Sequence, residues 1–177
     1  NTWENQTSTT NTDIYDIFFI DVNTGWAVGG DNGNYPSFIK HRKVLFTSNG
    51  GATWNTQISA SNKNLLRSVH FVDSNTGFTV GEVGTILKTT NGGSTWVEQM
   101  YNQSYHFYSV FFVNANTGWV VGQYLGIPHV SVIFNTTDGG ATWNSQTFGT
   151  DESLSDVFFI DATTGCAVGG SSSMAII

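Results

Sequence analysis

The sequence has few cysteines and few basic residues, and it lacks a long apolar run. Cys166 is the single cysteine, which excludes a disulfide framework within the chain. Six lysines and arginines against thirteen acidic residues give a net charge of -7, so the chain cannot neutralise a row of phosphates and nucleic acid is excluded as a partner. No stretch approaches the roughly 20 apolar residues that a membrane-spanning helix needs.

The composition is instead rich in glycine and aromatic residues. Hydrophobic residues make up 39% and aromatic residues 14% of the chain, with 20 glycines and only 11% charged residues. Asn, Thr, Ser and Gly fill the gaps between short apolar runs. Such a pattern is typical of an all-β protein with many tight turns.

One block of two apolar stretches occurs four times in the chain. The copies occupy residues 16–29, 68–81, 109–122 and 156–169. In the first stretch Ile17 and Phe19 point to one side while Phe18 and Ile20 point to the other. A strand that is apolar on both sides must be buried on both faces, as between two neighbouring sheets. Cys166 stands where the other copies have an aromatic residue, and we expect it to be a small buried residue.

The second half of each repeat contains a Gly-Gly turn followed by tryptophan. These segments occupy residues 47–54, 89–96 and 136–143, and Asn1-Thr2-Trp3 is the tail of a fourth. The repeat length of about 47 residues is that of a four-stranded propeller blade. The sequence therefore predicts an all-β propeller of four-stranded antiparallel blades, about four of them in this chain, as a fragment or part of a larger ring. Predicted blades are 14–57, 66–99, 107–146 and 154–177, the last completed by residues 1–7.

The Gly-Gly segments resemble the Asp-box, or bacterial neuraminidase repeat. Its pattern is Ser/Thr-x-Asp-x-Gly-x-Thr-Trp, although two of the three acidic positions are Asn here. The resemblance implies a structural role in which the Asn or Asp side chain holds the turn and the tryptophan packs between sheets. The structural residues it implies are Asn49, Gly51, Trp54, Asn91, Gly93, Trp96, Asp138, Gly140, Trp143 and Trp3.

The Phe-Phe, Thr-Gly-Trp and Val-Gly elements ahead of each turn look most like one branch of this family. That branch contains the photosystem II assembly factor of cyanobacteria and chloroplasts and related secreted bacterial propellers. The resemblance covers nearly the whole chain, but the matching residues are those that build blades.

The candidate binding residues lie in the loops of variable length. The insertions 30–42 and 123–130, with the loops that join blades, share one face of a propeller, and loops commonly carry function. Aromatic and amide side chains suit a sugar ring or a protein loop. The candidates are Asp31, Asn34, Tyr35, Phe38, His41, Arg42, Tyr105, His106, Tyr124 and His129.

Catalysis has weaker support in the sequence. A sialidase-like site needs three arginines, and the chain has only Arg42 and Arg67. The sequence leaves open a glycosidase that uses two carboxylates, with Asp16 and Asp156 near the expected channel mouth and Glu82, Asp151 and Glu152 in nearby loops. His70 replaces a strand phenylalanine and is interpreted as a hydrogen-bonded core residue.

These patterns favour a non-enzymatic binding propeller with no catalytic residues, metal or cofactor, whose partner is a protein or a glycan. The alternatives are a sialidase-like glycoside hydrolase fragment and a photosystem II assembly factor-like protein. The sparse arginines indicate no basic patch. We expect a secreted, cell-surface or periplasmic protein that either forms a homodimer or continues in a longer parent chain.

Overall fold

The computed structural model describes residues 5–8, 10–31, 40–61, 63–146, 152–171 and 174–176. These residues form fifteen β-strands in four antiparallel sheets, and in each sheet the strands follow one another in chain order. The predicted all-β fold is confirmed.

The first sheet is β1 (Asp13–Phe19), β2 (Gly25–Asp31), β3 (His41–Thr47) and β4 (Asn55–Ser61). The second is β5 (Leu66–Phe71), β6 (Gly77–Gly81), β7 (Thr85–Thr89) and β8 (Val97–Met100). The third is β9 (Tyr105–Phe112), β10 (Gly118–Tyr124), β11 (Val130–Thr136) and β12 (Asn144–Gln146). The fourth has three described strands, β13 (Leu154–Phe159), β14 (Gly165–Ser171) and β15 (Met174–Ile176).

The turn between the first two strands of each sheet is held by one acidic or amide side chain. In the second sheet, Oδ1 of Asp73 accepts hydrogen bonds from the backbone N–H groups of Asn75 (2.7 Å) and Thr76 (2.8 Å). These bonds favour the ionised carboxylate and lower the pKa of Asp73. Asp21, Asn114 and Asp161 repeat the arrangement. This is the local chemistry by which Asp and Asn specify turns.

The Gly-Gly turns join the third and fourth strands and have one hydrogen-bond pattern. In the first, the Thr47 hydroxyl accepts the N–H of Gly51 (2.9 Å), and Oδ1 of Asn49 accepts the N–H of Thr53 (2.9 Å). Gly50 and Gly51 have φ values of 68° and 88°, which favour glycine. The pattern recurs in the turns around Asn91 and Asp138.

Asp138→Asn is expected to leave the melting temperature unchanged, whereas Asp138→Ala is expected to lower it. Asp138 accepts hydrogen bonds from the Thr142 N–H (2.9 Å) and hydroxyl (2.6 Å), which lower its pKa to about 2. An amide can keep the first bond and donate to the hydroxyl, as Asn49 donates to Thr53 (2.9 Å). Thermal unfolding followed by circular dichroism checks this, and equal losses for the two variants would contradict it.

The sheets pack face to face through one repeated aromatic contact. A ring on the second strand of each of the first three sheets stacks on a phenylalanine of the next sheet's first strand, with ring centroids 3.5–3.7 Å apart. The pairs are Trp26–Phe71 at 3.5 Å, Phe78–Phe112 at 3.7 Å and Trp119–Phe159 at 3.6 Å. Each described tryptophan of a Gly-Gly turn meets the phenylalanine at this repeat position in its own sheet edge-on, as Trp96 meets Phe71 at 5.8 Å. The first strands lie side by side, β1 with β5, β5 with β9 and β9 with β13.

Two expectations about the outer sheets need correction, and a third stays a prediction. The fourth sheet contains three described strands, and its completion by residues 1–7 is untested, since residues 5–8 are not in a strand and residues 1–4, with Trp3, lie outside the described part. Burial on both faces holds for β5 and β9, but Ile17 of β1 and Phe158 of β13 are exposed because no sheet covers them. Cys166 is exposed for the same reason, not buried.

Candidate functional site

The upper end of the sheets, where each first strand begins, carries the predicted site residues. Asp31 and His41 face each other across β2 and β3, with Nδ1 of His41 at 2.9 Å from Oδ1 of Asp31. Asn34, Tyr35 and Phe38 lie outside the described residues. The structure therefore locates seven of the ten candidates, and they fall into separate groups.

Tyr105 and Tyr124 pack together at the upper end of the third sheet. Their rings are 5.8 Å apart, and Tyr105 also meets Phe134 edge-on at 5.2 Å. Both are partly buried against the core between the second and third sheets. His129 is exposed and its Nδ1 lies 3.4 Å from the Tyr124 carbonyl oxygen. Much of the ring surface of these two tyrosines is therefore buried in contacts within the chain.

An ion-pair cluster around Glu82 lies near the first strands, and we call it the Glu82 cluster (Lys40, Arg67 and Glu82). Glu82 is buried in the turn between β6 and β7. Its Oε2 contacts Nζ of Lys40 at 2.9 Å, and its Oε1 contacts Nη2 of Arg67 at 2.7 Å. Both carboxylate oxygens are occupied, and the cluster has one positive charge in excess.

Aromatic residues extend this cluster along the first strands. The guanidinium of Arg67 lies over the Tyr15 ring at 4.3 Å, a cation–π contact. Tyr108 stands on β9, and its hydroxyl donates to Oε1 of Gln123 (3.4 Å). Tyr15, Arg67 and Tyr108 occupy the same repeat position, directly before residues 16, 68 and 109.

Burial and neighbouring charges set the protonation of this region. Burial alone would raise the pKa of Glu82, but the hydrogen bonds from Lys40 and Arg67 outweigh it and leave the pKa lowered. Burial lowers the pKa of His106 despite the attraction of Glu82. Burial also raises the pKa of Tyr108. At neutral pH, Glu82 is therefore ionised while His106 and Tyr108 are uncharged.

A second pair of cations lines a cleft next to this cluster. Arg42 and Lys63 border a cavity of about 180 Å³, whose other lining residues are Asn64, Thr85, Glu98 and Tyr101. Burial lowers the pKa of Arg42, although Glu98 opposes the shift. Of the six Lys and Arg residues, five fall between residues 40 and 67. Cations are therefore concentrated at the upper end of the first two sheets, where Asp31, Glu82 and Glu98 lie among them.

The two carboxylates considered for catalysis connect neighbouring sheets. Asp16 accepts the N–H of Val69 in the next sheet (2.9 Å) and that of Ile17 (2.8 Å). Asp156 accepts the Ser109 hydroxyl from the preceding sheet (2.7 Å). Burial raises the pKa of Asp16, although its hydrogen bonds oppose the shift. Their oxygens thus accept backbone N–H and hydroxyl groups across the contacts between sheets.

Within the described ranges, no group of three His, Cys, Asp or Glu residues is placed to hold a metal ion. No helix in the part of the chain that the structure describes is long and apolar enough to cross a membrane.

The sequence reasoning missed Tyr15 and Tyr108 and gave Arg67 no place in the site. Loop length directed attention to the insertions, whereas these three residues lie on first strands. The signal was present in the repeat itself. Aligning the four copies places Tyr15, Arg67, Tyr108 and Ser155 in one column, between a preceding apolar column and a following column of Asp and Ser.

Comparison with known proteins identifies a family. The family model described as photosynthesis system II assembly factor YCF48 matches residues 1–96 and, in an overlapping alignment, residues 52–148. The solved structure "YCF48 bound to D1 peptide" is 25% identical, with a TM-score of 0.73 over 97% of this chain and 52% of that chain. No curated protein matches significantly.

Two further solved structures have the same fold. YCF48 from Cyanidioschyzon merolae is 19% identical, with a TM-score of 0.68 over 97% of this chain and 54% of that chain. A GH74 enzyme from Niastella koreensis is 17% identical, with a TM-score of 0.66 over 88% of this chain and 26% of that chain. The propeller prediction is confirmed, and at these identities the likeness shows the fold alone.

The chain spans about half the length of the YCF48 structures it matches. The expected secreted, cell-surface or periplasmic location is wrong, because the matching family consists of factors that act in photosystem II assembly and not at the cell surface. With the family model covering most of its residues, the chain belongs to the family of the photosynthesis system II assembly factor YCF48.

Proposed function

We propose that this chain is a non-enzymatic, protein-binding propeller segment that acts as an assembly factor and holds an acidic peptide segment at the upper end of its first two sheets. The family membership supports a role in assembly. A YCF48 structure with 25% identity over 97% of this chain has a bound D1 peptide. The partner proposed here is accordingly a protein segment.

The observation that carries the proposal is the Glu82 cluster. Two cations share one carboxylate, and Lys40 and Arg67 together have more N–H donors than Glu82 has oxygens. Nε of Arg67 is buried without a hydrogen-bond partner among the described residues. A carboxylate from a peptide side chain or C-terminus can occupy the donors that remain. Charge-assisted bonds of this kind are stronger than neutral ones.

A peptide fits this surface better than a glycan does. Sugar rings are bound on open aromatic faces with hydrogen-bonding edges, and Tyr105 and Tyr124 are packed against each other and the core. The Glu82 cluster and the cleft at Arg42 and Lys63 instead offer cations. The Gly-Gly turns lie at the opposite end of the sheets, and we assign them the structural role of Asp-boxes.

Arg67→Gln is expected to weaken binding of a fluorescently labelled D1 peptide about tenfold, corresponding to roughly 1.4 kcal/mol. Fluorescence anisotropy measures the dissociation constant. Lys43→Gln is the matched control, since it also removes one cation from the upper end, but Lys43 bonds Ser59 (2.6 Å) away from the cluster.

Equal weakening by both variants would mean that net charge alone drives binding, and it would contradict a site at Glu82. Binding unchanged in Arg67→Gln would contradict it as well. A folded Arg67→Gln variant is verified by its circular dichroism spectrum, so that lost binding is not confused with lost structure.

A further inference from the structure

Arg42 is a partly buried cation to which the described residues give no counter-charge. Its Nε is buried and has no hydrogen-bond partner among them. Within the same part of the chain, no acidic residue forms an ion pair with Arg42 or with Lys63. Charged groups that are withdrawn from water are usually paired. The Arg42 guanidinium therefore has donors that an anion from outside the chain can use.

The cavity beside Arg42 has room for such an anion, and we call it the Arg42 cleft (Arg42, Lys63, Asn64, Thr85, Glu98 and Tyr101). It lies between the first two sheets and has a volume of about 180 Å³. Two cations against the single carboxylate of Glu98 leave one positive charge in excess. The amide of Asn64 and the hydroxyl of Tyr101 add neutral donors. This lining suits one carboxylate better than a doubly charged anion.

The Arg42 cleft adjoins the Glu82 cluster. The hydroxyl of Thr85, which lines the cleft, donates to the backbone oxygen of Glu82 (2.8 Å). On the first sheet, Lys40 precedes Arg42 by two residues. Lys40 contacts Glu82, and Arg42 borders the cleft, so both side chains point toward the second sheet. An extended chain advances about 3.3 Å per residue, which places the two cations about 7 Å apart along the first sheet.

We propose that the Arg42 cleft is a second carboxylate site that acts together with the Glu82 cluster, so that the bound peptide carries two acidic side chains separated by one residue. The inference rests on the proposed function. In an extended peptide, side chains at positions i and i+2 point to the same side about 7 Å apart, which is the spacing of Lys40 and Arg42. One carboxylate binds the remaining donors of the Glu82 cluster, and the other binds Arg42 and Lys63. Acidic side chains at adjacent positions point to opposite sides and cannot reach both sites.

Fluorescence anisotropy with short synthetic peptides tests this spacing. Four fluorescein-labelled, C-terminally amidated peptides contain Glu-Ala-Glu, Glu-Glu-Ala, Glu-Ala-Gln or Gln-Ala-Glu between identical Gly-Ser flanks. The Glu-Ala-Glu peptide is expected to bind about tenfold more tightly than each of the others, because it alone gives both sites a charge-assisted hydrogen bond. The Glu-Glu-Ala peptide is the matched control, since it has the same charge with the wrong spacing.

Substitutions in the chain assign the second carboxylate to the cleft. Arg42→Gln is expected to weaken binding of the Glu-Ala-Glu peptide about tenfold. One of the two peptides with a single Glu lacks the carboxylate that enters the cleft, and it is expected to bind Arg42→Gln and the parent chain equally. Lys43→Gln is the matched control, because Lys43 is adjacent on β3 but bonds Ser59 (2.6 Å). Lys63→Gln, at an exposed position, is expected to weaken the same peptide without disturbing the fold.

The outcomes separate this inference from the proposed function. Equal affinities for the Glu-Ala-Glu and Glu-Glu-Ala peptides, both weakened by Arg67→Gln, would overturn the paired sites and leave the peptide site at Glu82 standing. Unchanged affinity for the Glu-Ala-Glu peptide in Lys63→Gln and in a folded Arg42→Gln variant would overturn the cleft as a carboxylate site. Failure of all four peptides to bind the parent chain would overturn both proposals.

Discussion

Trp26→Ala is expected to lower the free energy of unfolding by about 3–5 kcal/mol, the usual loss for a buried aromatic residue. Trp26 is fully buried, and its ring stacks on Phe71 with an interplanar angle of 11°. Its Nε1 donates to the Gly92 oxygen (3.2 Å), which also accepts from Nε2 of Gln57 (2.8 Å), so the substitution removes one of two donors to a turn carbonyl. Both the apolar contact and the hydrogen bond connect the first sheet to the second.

Cys166→Ala is the matched control for this substitution. Cys166 has the same repeat position, but it is exposed, and surface substitutions usually change stability by less than about 0.5 kcal/mol. Urea unfolding followed by tryptophan fluorescence, and by circular dichroism for the Trp26 variant, measures both. A loss below about 1 kcal/mol for Trp26→Ala would show that the stacked rings do not stabilise the blades.

The stability of the chain is expected to fall by roughly 3 kcal/mol between pH 6.5 and pH 4 because of His70. Its ring lies between Phe18 at 4.9 Å and Phe111 at 4.7 Å. Burial there lowers the pKa of His70 to about 4, against the opposing hydrogen bond to the backbone of Phe112. Below pH 6.5 the unfolded chain binds a proton that the folded chain rejects, so the folded state loses stability as the pH falls and the loss levels off below about pH 4.

His70→Phe is expected to remove this part of the pH dependence. Phenylalanine already occupies the same position in the other three repeats, so the ring column stays intact. The measurement is the difference in unfolding free energy between variant and parent across pH 4–8, which cancels the contribution of the carboxylates that both share. A difference independent of pH would contradict the expectation.

The charge distribution restricts where an acidic peptide can bind. The chain as a whole has a net charge of -7, which repels acidic segments over long distances. The cations near Glu82 and in the cleft at Arg42 and Lys63 attract such segments locally. Binding of an acidic peptide should therefore be confined to this end of the sheets, because elsewhere the surface opposes it.

The strands and turns were predictable because they depend on local chemistry. The alternation of apolar residues, the Asp or Asn that closes each first turn, and the Gly-Gly pairs with positive φ act within a few residues of each other. The burial of β1 was not predictable in the same way. Its sequence matches that of β5 and β9, but Ile17 is exposed because nothing packs against that face.

The candidate site was also predictable only in part. Loop length pointed to the upper end of the sheets, and His41 and Arg42 are there. Glu82, however, meets Lys40 across 42 residues of sequence and Arg67 across 15, and no local pattern signals these pairings. A count of cations likewise does not show where the fold places them.

By itself the sequence determined the repeat, its all-β blades, the turns that close them and the family, because each depends on residue spacing within one repeat of about 47 residues. Only the tertiary structure decided which faces are covered, which cations share Glu82, and that Cys166 and Phe19 are exposed. These properties depend on which repeats become neighbours in space. The repeats have similar sequences whether or not a neighbouring sheet covers them, so the sequence of one repeat does not show its burial.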